Sequence, residues 1–144
     1  MRRLAHSILP FGLALLTSHP PVLATPTSSL PQTEELTEVQ WNGYNRMDLV
    51  IEGKPARLVI PKHSAPGKPW VWRARFPDFH IGCDLILLER GFHIAYIDTG
   101  GMLGGLKAMA IWDVFYETMR KEHGLSARPA LEGVSRGGLF IYHW

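Results

Sequence analysis

The sequence predicts an α/β fold: a mainly parallel sheet led by an antiparallel hairpin, with helices on both faces. Three observations carry that expectation. Apolar residues alternate with period two over residues 47–60. A nearly continuous apolar run, His93-Ile94-Ala95-Tyr96-Ile97, suits a central strand covered on both sides. From residue 70 onward, strand patterns and helix patterns alternate, and that order favours parallel pairing through helical crossovers.

In chain order, Met47, Leu49 and Ile51 form one half-buried strand and Ala56, Leu58 and Ile60 a second, with Glu52-Gly53-Lys54 as the turn between them. Pro61 to Pro69 is a loop. Trp70-Val71-Trp72 is a short strand, and Arg73 to Pro77 leaves it as a polar, irregular segment. From about Asp78 the period becomes helical. Ile81, Leu85 and Leu88 share a face, and Gly91 suits the C-terminal cap. The strand at 93–97 follows, then a loop from Thr99 to Gly105 with four glycines. Leu106 to Glu122 is a long helix whose inner face carries Ala108, Ile111, Trp112, Phe115 and Met119, and Gly124 ends it. Pro129 to Glu132 is a short strand, Gly133 to Gly137 a tight turn, and Gly138 to Trp144 the start of a last helix.

The first residues have the three parts of an export signal: basic Arg2 and Arg3, an apolar core from Ile8 to Leu16, and a small-residue site ending at Ala24. A signal over residues 1–24 predicts a secreted or periplasmic protein with no membrane span after its removal. Residues 25–37, rich in Thr, Ser, Pro and Glu, read as a flexible lead-in to a domain over 38–144. The chain has 15 basic and 13 acidic residues, and with Arg2 and Arg3 in the signal 13 of each remain. No basic stripe marks a nucleic-acid surface. Cys83 is the single cysteine, so no intrachain disulfide forms, and its apolar neighbours predict a buried, inert thiol. Trp70, Trp72 and Trp112 read as core. Nothing in the sequence calls for a metal or a cofactor.

Chemistry enters at Gly133-Val134-Ser135-Arg136-Gly137. A serine nucleophile must stand clear of a sheet on a sharp strand-to-helix turn, where side chains two residues either side are crowded. Glycines at 133 and 137 relieve that crowding, a short strand precedes the turn, and a helical segment follows it. Ser135 then lies at a helix N-terminus, where developing negative charge is favoured. The Arg136 backbone N–H is one candidate donor to an oxyanion. Asp98 ends a strand and reads as a loop-capping residue, while Arg73 and Arg75 read as a solvated loop, paired with Asp78, or as anchors for an anionic substrate.

The run Glu132-Gly133-Val134-Ser135-Arg136-Gly137-Gly138-Leu139, with the strand–helix alternation before it, resembles the nucleophile elbow of the α/β-hydrolase superfamily, over about residues 38–144. It looks closest to secreted esterases and prolyl-oligopeptidase-like members. The resemblance implies an acyl-enzyme on Ser135 and hydrolysis of a small-molecule or glycan ester, with a peptide bond as the alternative substrate. It also implies a second oxyanion donor in the loop after the third strand. Here that stretch is Trp72-Arg73-Ala74-Arg75-Phe76, without the family's glycines, and the backbone N–H groups of Arg73, Ala74 and Arg75 remain alternatives.

The family's order of triad residues is Ser, then Asp or Glu, then His. No carboxylate side chain follows Ser135, and His143 lies two helical turns on, about 12 Å away. His93 falls in a buried strand and His123 near a remote helix end, which leaves His80 as the one histidine with a route to Ser135. These residues predict an N-terminal part of a hydrolase domain, incomplete at the C-terminus and inactive by itself. The competing expectation is a non-catalytic exported binding module.

Overall fold

The computed structural model describes residues 34–144. The expected signal and residues 25–33 lie outside the described residues. Nine elements follow in order: β1 (Glu34–Trp41), β2 (Tyr44–Ile51), β3 (Lys54–Ile60), β4 (Trp70–Arg73), α1 (Gly82–Glu89), β5 (His93–Ile97), α2 (Leu106–Lys121), β6 (Ala130–Glu132) and α3 (Gly137–His143).

The six strands form one sheet in the order β1-β2-β3-β5-β4-β6. The sheet is mixed, not mainly parallel: β1–β2, β2–β3 and β3–β5 are antiparallel, and β4–β5 and β4–β6 are parallel. The balance differs from the sequence expectation because a third antiparallel strand, β1, precedes the expected hairpin, and because β3 turns the meander onto β5. β1 begins at Glu34, inside the stretch expected as lead-in. Its turn to β2 is Asn42-Gly43, with φ of 47° and 82°, and the β2–β3 turn is Glu52-Gly53, with φ of 50° and 67°. Two consecutive positive-φ residues give a turn whose twist matches that of the flanking strands.

β4 is where the chain changes direction. It leaves β4 through α1 to pair β5 on one side, then crosses through α2 to pair β6 on the other. The two helices therefore cover opposite faces. Leu88 of α1 packs on Trp41, Val59, Val71 and Ile94. On the other face, Trp112, Phe115 and Met119 of α2 and Phe140 of α3 pack on Leu49, Leu58, Trp70, Trp72 and Ile97.

Aromatic rings dominate this second layer. Trp72 stacks on Trp112 with centroids 4.3 Å apart and on Trp70 at 5.6 Å. Their polar edges are bonded where the chain offers an acceptor: Trp70 Nε1 donates to the Ser126 carbonyl at 2.8 Å and Trp112 Nε1 to Thr99 Oγ1 at 3.1 Å. All three tryptophans are core, as expected, and truncating one such ring costs about 3–5 kcal/mol.

Two expectations about single residues also fail. Cys83 is exposed, because the inner face of α1 is set by Asp84 and Leu88 and the residue before Asp84 turns away from it. Arg73 is not part of a solvated loop. It is the last residue of β4, fully buried, and its partner is Asp84, not Asp78. Asp78 instead accepts from Arg57 at 2.9 Å and from Trp41 Nε1 at 3.0 Å.

Candidate functional site

In open α/β sheets, ligands bind outside the carboxyl ends of the strands where the strand order reverses. Here that point is the end of β4, flanked by the ends of β5 and β6. Three loops meet there. A β-carbon on Gly137 would stand 3.4 Å from Ala74 Cβ and 3.6 Å from the Arg75 backbone nitrogen. One on Gly104 would stand 2.8 Å from the Leu139 carbonyl oxygen, and one on Gly100 3.3 Å from an Arg75 guanidinium nitrogen. The His143 ring also bonds the Gly104 carbonyl.

Ser135 sits in this convergence. It is exposed, and its φ is 53°, a left-handed conformation that a serine adopts only when its surroundings impose it. The imposing contacts are local. The Gly137 N–H donates to the Val134 carbonyl at 2.8 Å and the Gly138 N–H to the Ser135 carbonyl at 3.1 Å, so the chain turns from β6 into α3 within four residues. Gly133 has no room for a side chain, because a β-carbon there would meet Ile141 Cδ1 at 2.5 Å and the Gly138 nitrogen at 2.9 Å.

The three alternatives for a second N–H donor separate. Ala74 donates its N–H to the Glu132 carbonyl at 2.9 Å, so it is engaged by β6 and is not a candidate. Arg73 lies within β4, in register with Tyr96 on one side and Glu132 on the other, and its side chain is buried against α1. Arg75 is the second residue beyond β4, next to Gly137. Neither the Arg75 nor the Arg136 backbone N–H donates to another described residue.

The remaining expected site residues fall apart from Ser135. Asp98 Oδ1 accepts the Gly100 N–H at 2.8 Å, which makes it a loop cap. It also faces Tyr96, whose hydroxyl is pushed up to about 12, first by burial and then by the Asp98 charge. His93 is buried between Ser64 Oγ and the Pro69 carbonyl, each 3.4 Å from the ring. His80 is exposed against the Phe79 ring. No histidine or carboxylate hydrogen-bonds Ser135 Oγ among the described residues. The Arg73 guanidinium is tied to Asp84 and the Phe79 carbonyl and does not face a substrate, whereas Arg75 lies over the Phe76 ring, 5.0 Å from its centroid.

A groove of about 350 Å³ lies on the α1 face of the sheet, lined in part by Asp48, Val50, Arg57, Pro77 and Tyr96, and it does not include Ser135. Among the described residues no three His, Cys, Asp or Glu side chains are grouped as metal ligands, and no helix is long and apolar enough to cross a membrane.

The sequence reading missed the joining of Arg73, Asp84 and Glu132 beneath the elbow. One signal for it was present: Asp84 lies three residues after Ile81 and four before Leu88, a carboxylate on the apolar face of a helix. No family model, no curated protein and no solved structure matches the chain.

Proposed function

We propose that the chain carries the nucleophile and the oxyanion donors of a serine hydrolase of the α/β-hydrolase type, acting on a small-molecule or glycan ester. The observation that carries this reading is an exposed serine held at positive φ at the carboxyl edge of the sheet, beside two backbone N–H groups with no described acceptor. Ser135 Oγ attacks the ester carbonyl carbon and passes its proton to a base. The negative oxygen that forms accepts from the Arg136 and Arg75 N–H groups. Collapse expels the alcohol, which takes that proton, and water then releases the acid from Ser135.

On this reading the base and the acid that orients it are not among the described residues. The export signal over residues 1–24 would deliver the protein to the secreted or periplasmic space. The lack of a described base also favours a second reading, an exported binding domain that keeps the turn without the chemistry.

A fluorophosphonate probe separates the two on the full-length protein. The hydrolase reading expects a stoichiometric adduct on Ser135 that Ser135→Ala abolishes. No adduct, or an adduct that survives the substitution, overturns it.

A further inference from the structure

Beneath the strand that delivers Ser135 lies a charge cluster that the proposed chemistry does not use. Arg73 closes β4 and Glu132 closes β6, and the two are register partners. Asp84 enters from the first turn of α1. Arg73 and Asp84 are 1% and 0% exposed and form an ion pair, with Nη1 donating to Oδ2. Arg73 Nη2 donates to the Phe79 carbonyl at 2.7 Å and stands 3.6 Å from Glu132 Oε1. Glu132 is 30% exposed.

Two things are out of balance. One guanidinium faces two carboxyl groups, and an excess charge is costly at a buried site. Asp84 Oδ1 is buried with no hydrogen-bond donor, and the guanidinium that binds Asp84 also stands beside the Glu132 carboxyl. A single proton between the two carboxyl groups resolves both. It brings the cluster to neutrality and gives Asp84 Oδ1 its donor.

We infer that protonated Glu132 donates its O–H to Asp84 Oδ1, and that this bond makes it the positioning residue of the Ser135 turn. Burial, the largest influence, raises the Glu132 carboxyl. Arg73 opposes that rise and Asp84 adds to it. Arg73 on β4 and Asp84 on α1 are the charged groups that act on it among the described residues. The Glu132 carbonyl meanwhile accepts the Ala74 N–H, so backbone and side chain together fix the end of β6 three residues before Ser135. When Glu132 ionises, the two carboxylates repel, β6 loses its tie to α1, and the turn shifts relative to the Arg75 N–H.

The positioning part rests on Ser135 being the nucleophile, and the protonation does not. The test therefore has two arms on the full-length protein. Carboxyl NMR of glutamate-labelled protein should show one side chain, absent in Glu132→Gln, that titrates above ordinary glutamate and moves back toward it in Asp84→Asn. The rate of fluorophosphonate labelling should be similar in wild type and Glu132→Gln at low pH. Wild type should fall behind by about tenfold as Glu132 ionises, since a displaced nucleophile loses rate steeply. The ratio of the two proteins cancels the titration of the base. An ordinary or lowered Glu132 overturns the shared proton. A raised Glu132 with a flat ratio overturns the positioning role alone. If neither protein is labelled, the nucleophile reading falls and the positioning role with it, while the NMR arm still decides the proton.

Discussion

Gly133, just after β6, and Ile141, in the middle of α3, touch so closely that a β-carbon on the glycine would lie 2.5 Å from Ile141 Cδ1. This contact sets how sharply the strand turns back onto its helix. Gly133→Ala should therefore destabilise the protein by about 1–3 kcal/mol, the usual cost of overpacking. Gly137→Ala should cost less, because its nearest neighbour would be at 3.4 Å. Thermal unfolding of both variants checks the order, and equal losses would mean that the helix yields freely.

The left-handed backbone of Ser135 makes a second prediction. Glycine carries no penalty at φ of 53°, whereas alanine keeps the strain of serine. Ser135→Gly should be more stable than Ser135→Ala by about 1 kcal/mol. Denaturant titration decides it, and an alanine variant of equal or greater stability would show that the turn is relaxed.

The Arg73–Asp84 pair should behave as a buried pair. Asp84→Ala leaves the buried guanidinium with only the partly exposed Glu132 carboxyl, 3.6 Å away, and should cost up to about 3–5 kcal/mol. Replacing both partners by apolar residues, Arg73→Met with Asp84→Leu, should recover most of that loss. A double variant as unstable as Asp84→Ala would argue that Arg73 holds the loop mainly through the Phe79 carbonyl.

His93 gives the molecule an acid-sensitive component. Burial holds the ring below its ordinary value of 6.5, against the Pro69 carbonyl that favours the charged form, and Lys68 and His123 depress it further. A lowered folded pKa contributes stability that is fully present above pH 6.5 and is lost as pH falls through the folded value. Melting curves from pH 7.5 to pH 5 should show a wild-type loss that is shallower in His93→Leu. Parallel curves would assign the acid sensitivity to other groups.

Much of the fold was legible in local pattern. The alternation of Met47, Leu49 and Ile51, the apolar run at 93–97 and the inner face of α2 each place their element because one face of each must be buried. What escaped depended on distance along the chain. Arg73 looked like a loop cation because its partner, Asp84, is eleven residues on and on another element. β1 carries a local signal of its own: Asn42-Gly43 is the dipeptide best suited to a tight hairpin turn, and it requires a strand before it. Apolar neighbours alone predict a buried Cys83, whereas the position of Asp84 decides which side of α1 faces the sheet. At the site, spacing identified the turn at Ser135, but only the hydrogen bond from Ala74 to Glu132 separates Arg75 from its two neighbours.

The strand order also has a consequence in time. β1, β2 and β3 are joined by two-residue turns, so their pairing closes only short loops. β6 must find β4 across the whole of α1, β5 and α2, with Val71 opposite Ala130. Contacts distant in sequence carry the larger entropy of closure and form late. The meander should gain protection first in pulsed hydrogen exchange during refolding, and the amides of 130–137 last. A chain caught part-way would then hold a formed sheet edge and no turn at Ser135, so reactivity at that serine would report the last event of folding.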